Sequence, residues 1–162
     1  MKQILVALLL AAGGPALAAG AGVQPLGAQQ VAQLVAPPAH GERIIMFWAL
    51  SCAYCEPNME ALAKLQRTHA QDIEFVTVAT DDIRHYGADI DQRLQDAGMA
   101  GYPAWAYTEA TPQRLNFLID PEWGGETPRT LVVLADGRRS AVSGRLTAAE
   151  LGQLWPLPDA RH

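Results

Sequence analysis

The chain carries two cysteines, Cys52 and Cys55, separated only by Ala53 and Tyr54. A thiol is mostly protonated at neutral pH, and the thiolate is the nucleophile. A helix N-terminus favours the thiolate, because its first N–H groups are unpaired and its dipole presents its positive end there. Ser51 can serve as the N-cap of a helix beginning at this point, which would put Cys52 beside the helix start and Cys55 one turn inside. In that arrangement Cys52 attacks a substrate disulfide. Cys55 then resolves the mixed disulfide and leaves a Cys52–Cys55 bridge.

Other uses of a close cysteine pair are weaker. Zinc needs further ligands, and His40, His69, His85 and His162 are scattered without a pair at ligand spacing. A purely structural bridge would close a loop too short to constrain much unfolded chain. Cuprous copper held between the two thiolates is the alternative from a different functional class, a metal-delivery module.

The elements that position the pair can be read outward from it. Arg43–Ala49, apolar without alternation from Ile44 on, is expected to be a strand buried on both faces. After the cysteines, Cys55, Met59, Leu62, Ala63 and Leu65 fall on one helical stripe through Ala53–His69. Pro57 lies past the first turn of a helix capped at Ser51 and is expected to kink it. Ile73–Thr80 is a second buried strand, and Asp81-Asp82 starts a helix over Ile83–Ala97 that ends at Gly98. Tyr102–Tyr107 is a short strand interrupted by Pro103. Thr111-Pro112 opens a helix carrying Leu115, Phe117 and Leu118. Asp120–Thr127 is a turn-rich loop, Arg129–Ala135 a strand, Asp136-Gly137 a hairpin turn, and Arg138–Ser143 the returning strand. Thr147 caps a last helix reaching about Trp155. Strands alternating with helices and closing on a hairpin predict an α/β fold, a central mixed sheet flanked by helices on both faces.

At 162 residues, 49% of them hydrophobic, the chain has enough material for one well-packed domain. Its net charge of −5 speaks against a nucleic-acid partner. Residues 1–19 read as a signal peptide: Lys2, the apolar run Ile4–Ala12, a break at Gly13-Gly14-Pro15, and small residues at Ala16-Leu17-Ala18. The apolar run is shorter than the ~20 residues of a membrane span, so no stable span is expected after cleavage. Residues 20–42 are a lead-in whose Gln29–Val35 could form a short helix, and 43–158 are the domain. Export would place the pair in the periplasm or another extracytoplasmic, oxidising compartment.

Phe47-Trp48-Ala49 followed by Cys52-x-x-Cys55, and Thr127-Pro128-Arg129-Thr130 followed by Leu131–Gly137, resemble the two halves of a thioredoxin-superfamily site. The likeness is to the exported TlpA/ResA/DsbE-type disulfide reductases and spans about Arg43–Leu154. It implies a thioredoxin-like fold and thiol–disulfide oxidoreductase activity with no cofactor. It also implies a cis-proline at Pro128, with Thr127 beside the cysteines free to pair with an extended substrate. Protein disulfides are the implied substrates, those of cytochrome c maturation among them, and a membrane protein of the DsbD/CcdA type is the implied electron donor. Thr127, Pro128, Trp123 and Tyr54 are the expected substrate-binding residues. The departures are Ser51 where the family usually has Trp, Tyr54 where thioredoxins most often have Pro, Met46 for a buried acid, and Asn58 for an acid found in some relatives. Glu56 is the nearest remaining carboxylate, and its place in the first turn fits the helix dipole. These changes bear on redox poise, which spans about 150 mV in this fold, so an oxidase or isomerase is the alternative within the same chemistry.

Overall fold

The computed structural model describes residues 22–109 and 111–154. The predicted signal peptide and the last residues of the predicted domain, Trp155 among them, lie outside this range.

The five predicted strands, joined by a sixth from the lead-in, form a sheet of order β1-β4-β3-β2-β5-β6. Its strands are β1 (Gln24–Leu26), β2 (Glu42–Trp48), β3 (Ile73–Asp82), β4 (Ala104–Tyr107), β5 (Arg129–Leu134) and β6 (Arg139–Ser143). The first four in space run parallel, whereas β5 and β6 are antiparallel to their neighbours. β2 is central and buried along its whole length. Helices cover both faces, as a buried parallel core requires. On one face α2 (Cys55–Thr68), α3 (Ile83–Asp96) and α5 (Ala148–Leu154) pack over Ile44, Met46 and Trp48. On the other, α1 (Ala28–Leu34) and α4 (Pro112–Ile119) pack over Ile45 and Phe47. Among the described residues no helix is long and apolar enough to cross a membrane.

Several expectations are corrected. The lead-in is part of the sheet: Gln24–Leu26 pairs with Trp105–Tyr107 as an edge strand, where Pro25 is tolerated. The helix after it stops at Leu34, and the buried Arg43 guanidinium caps its end. Nη1 of Arg43 donates to the carbonyls of Gln33, Leu34 and Ala36 at 3.2, 3.1 and 2.8 Å. Ser51 is not a cap, because α2 begins only at Cys55. Pro57 therefore falls on the third helical residue, where a backbone N–H has no intrahelical partner to lose, and the predicted kink has no cause. β3 runs on through Asp82, which caps α3 by accepting the Arg84 N–H. α4 buries only part of its apolar sequence. Leu115, Asn116 and Ile119 are buried, whereas Phe117 and Leu118 are exposed.

Candidate active site

β2 delivers the chain to the cysteines through two tight turns, which displace the helix start by one turn. The Cys52 N–H bonds the Ala49 carbonyl at 3.0 Å, and the Cys55 N–H bonds the Cys52 carbonyl at 3.4 Å. The end of β3 holds this loop from the side. Thr80 donates its hydroxyl to the Trp48 carbonyl at 3.2 Å, and the Asp81 carboxylate accepts the Leu50 N–H at 2.8 Å. Asp81 is thus a loop anchor, not a helix-start residue.

Cys52 and Cys55 form a disulfide with an S–S distance of 2.07 Å. Cys55 is the first residue of α2 and is 2% exposed, whereas Cys52 is partly exposed. The two sulfurs are therefore unequal: one can be reached from solvent, and the other lies in the core cluster with Met46, Met59 and Leu62. Cys52 lies off the N-terminal end of α2, the positive end of its dipole. Tyr54, between the cysteines, is 59% exposed and free to meet a partner. Glu56 pairs with Arg93 of α3 at 3.1 Å. Met46 is fully buried beneath α2, flanked in register by Thr77 and Thr130. The hydroxyls of those threonines have no hydrogen-bond partner among the described residues.

The second wall comes from the start of β5. Phe47 pairs with Arg129, so the antiparallel register brings Thr127-Pro128 to the end of β2 that leads to Cys52. The Thr127–Pro128 bond is cis. Pro128 is buried and Thr127 partly exposed.

Trp123 is placed differently from the expectation that it contacts substrate. It is 5% exposed, stacks on Phe47 at 4.7 Å between ring centroids, and donates its indole N–H to the Glu126 carbonyl at 2.9 Å. It is the post around which the 120–127 loop is wound. Arg129 closes the loop. Its guanidinium lies 5.9 Å from the Trp123 ring, pairs with Asp120, and reaches Glu126 at 3.3 Å and the Ser143 hydroxyl at 2.8 Å. Burial works against the charge of Asp120, but the Arg129 hydrogen bond and charge hold its carboxyl below its ordinary value. The Ser143 hydroxyl, followed by Arg129, does the same for Glu126. Asn116 supports the loop from α4. It accepts the buried Tyr107 hydroxyl at 2.8 Å and lies so near Gly125 that a Cβ there would fall 2.6 Å from its Nδ2.

No site role could be read in the sequence for Thr80, Asn116 or Arg129, and Asp81 read as a helix start. Polar side chains that serve a distant loop carry no local period or motif. Only the pairing of Asp120 and Glu126 with a cation after Pro128 left a charge pattern that could have been noticed.

Among the described residues no three His, Cys, Asp or Glu side chains gather as a metal site. The fold is similar to that of a secreted Mycobacterium tuberculosis disulfide oxidoreductase homologous to E. coli DsbE. The TM-score is 0.54 at 15% identity, over 70% of this chain and 79% of that one. It is also similar to a thioredoxin-family thiol:disulfide interchange protein from Chlorobium tepidum TLS, with TM-score 0.55, 22% identity, and 70% and 77% covered. StoA from Bacillus subtilis matches with TM-score 0.51 at 16% identity, over 73% and 84%. No protein-family model and no curated protein matches the sequence. The fold is thioredoxin-like.

Proposed function

We propose that the protein is an exported thiol–disulfide oxidoreductase that reduces disulfides in other proteins. The observation that carries this reading is the inequality of the pair: Cys52 partly exposed off a helix N-terminus, and Cys55 buried one residue into the helix. In the reduced protein the Cys52 thiolate attacks a substrate disulfide. One Cys52–substrate bond forms, and one substrate sulfur leaves as thiolate. Cys55 then attacks Cys52 Sγ and releases the second substrate sulfur. The dithiol has lost two electrons and two protons, and the substrate disulfide has gained them. Thr127, Pro128 and Tyr54 line the side from which an extended substrate would approach, while Trp123 acts by holding their loop. The structural relatives described as disulfide oxidoreductase and thiol:disulfide interchange protein support this chemistry. The secreted relative, together with the signal-like residues 1–19, supports export. Substrates of the cytochrome c maturation type and a donor of the DsbD/CcdA type complete the proposal.

The Cys55→Ser variant tests it. It is expected to accumulate Cys52-linked mixed disulfides that dithiothreitol releases, whereas Cys52→Ser accumulates none. A Cys55→Ser protein that traps nothing while Cys52 remains open to alkylation removes the mechanism.

A further inference from the structure

One turn along α2 from Cys55 stands a polar residue that the chemistry does not use. Asn58 is 1% exposed and faces the core with Cys55 and Met59. A buried amide needs partners for both its ends. Its Nδ2 donates to the Gly144 carbonyl at 3.0 Å, and its Oδ1 accepts the Leu146 N–H at 2.9 Å. The orientation of the amide is fixed by its partners, since the carbonyl can only accept and the N–H can only donate. These bonds grip both sides of Arg145 in the turn that leaves β6. Gly144 adopts φ +93°, and its own N–H donates to the Pro128 carbonyl at 2.7 Å.

One side-chain bond and one backbone bond therefore run from the helix of Cys55 through Gly144 to Pro128, and a second side-chain bond holds the far side of the turn at Leu146. They tie together the two walls of the proposed site, which β2 and β5 bring to one end of the sheet but do not themselves join beyond Phe47 and Arg129. We propose that Asn58 is a positioning residue: its amide fixes the 144–146 turn, and through Gly144 it sets the Thr127-Pro128 segment against the cysteine pair. A neutral amide suits this task better than a carboxylate, whose two acceptor oxygens would set one against the Gly144 carbonyl. Leucine has a similar volume but leaves both partners unpaired in the core. The role rests on the proposed function, because the wall matters only if an extended chain is bound there.

The test compares two probes and one backbone signal in the full-length protein. Reduced protein is reacted with a disulfide-linked extended peptide, which needs the Thr127-Pro128 wall, and with a small aromatic disulfide, which needs only the Cys52 thiolate. Exchange of the Gly144 amide is followed by NMR. Asn58→Leu is expected to slow the peptide reaction roughly tenfold, leave the small-disulfide rate unchanged, and expose the Gly144 amide to exchange. Gly144→Ala strains the same turn through its positive φ. An added Cβ meets nothing within 4 Å there, and α2 is untouched. It is expected to reproduce the peptide-selective loss, and equal losses with both disulfides in this variant overturn the role even if Asn58→Leu does not fold. An unchanged Gly144 exchange rate in folded Asn58→Leu, or equal losses with both disulfides, overturns the role. Wild-type protein that reduces the small disulfide but not the peptide would instead count against the proposed function, while Gly144 exchange still decides whether Asn58 holds the turn.

Discussion

Glu42 opens β2 at the end remote from Cys52, is 2% exposed, and its Oε1 has no partner among the described residues. Burial pushes its carboxyl up from 4.5 to about 7. The sign of its effect on stability follows. Below pH 4.5 the group is protonated in both the folded and unfolded chain, and it imposes no ionisation cost. Between 4.5 and about 7 the unfolded chain releases the proton while the folded one retains it, so stability falls as pH rises and levels off above 7. The expected loss across this window is on the order of 3 kcal/mol. Glu42→Gln should flatten the slope in urea titrations between pH 4.5 and 8. A wild-type curve that rises over that window would contradict the assignment. The cysteines could be identified from type and spacing alone, because a Cys-x-x-Cys after a buried strand has few uses. Glu42 could not, since its burial depends on neighbours in β3 and β5 that are distant in sequence. The burial of Trp123 was hidden for a related reason. A tryptophan beside Gly124-Gly125 looks exposed, and only the approach of Phe47 and Arg129 buries it.

At the level of elements, the start of α2 separates two accounts of Pro57. If the helix began after Ser51, Pro57 would cost a hydrogen bond, and Pro57→Ala would stabilise the protein by about 3 kcal/mol. With α2 beginning at Cys55, the substitution should change urea stability by less than about 0.5 kcal/mol. Ser51 was a reasonable cap by type. The Cys52 and Cys55 N–H bonds to Ala49 and Cys52 show why it lost that role, since two turns intervene before the helix. The 120–127 loop makes the opposite demand on its sequence. Gly125 has φ +97° and meets Asn116 Nδ2 at 2.6 Å from any added Cβ. Gly125→Ala should cost about 1–3 kcal/mol in chemical denaturation, through backbone strain and displacement of Asn116. The inward face of α4 was not legible, because Phe117 and Leu118 are as apolar as Leu115. The short helix lets its contacts, not its composition, choose which side is buried.

For the whole molecule, a mixed sheet covered by helices on both faces could be anticipated from alternating elements and a closing hairpin. The N-terminal edge could not. β1 has three residues, one of them proline, and its pairing with β4 is a tertiary event. Two arginines fasten this segment to the sheet. Arg43 reaches the carbonyls at the end of α1, and Arg139 of β6 donates to the Val35 carbonyl at 2.8 Å. Arg43→Met is expected to cost about 3 kcal/mol and to raise hydrogen exchange in residues 24–34 before the rest of the sheet. Uniform exchange across the sheet would show that the segment is held by its apolar contacts alone. All of these parts serve one claim, that Cys52 and Cys55 form an asymmetric redox couple. Its most direct test is redox equilibration of the wild-type protein in glutathione or dithiothreitol buffers, with alkylation at each site read by mass spectrometry. A single two-electron transition between the disulfide and the dithiol is expected, with Cys52 modified before Cys55 in the reduced protein. Absence of a two-electron transition, or modification of Cys55 first, would contradict it.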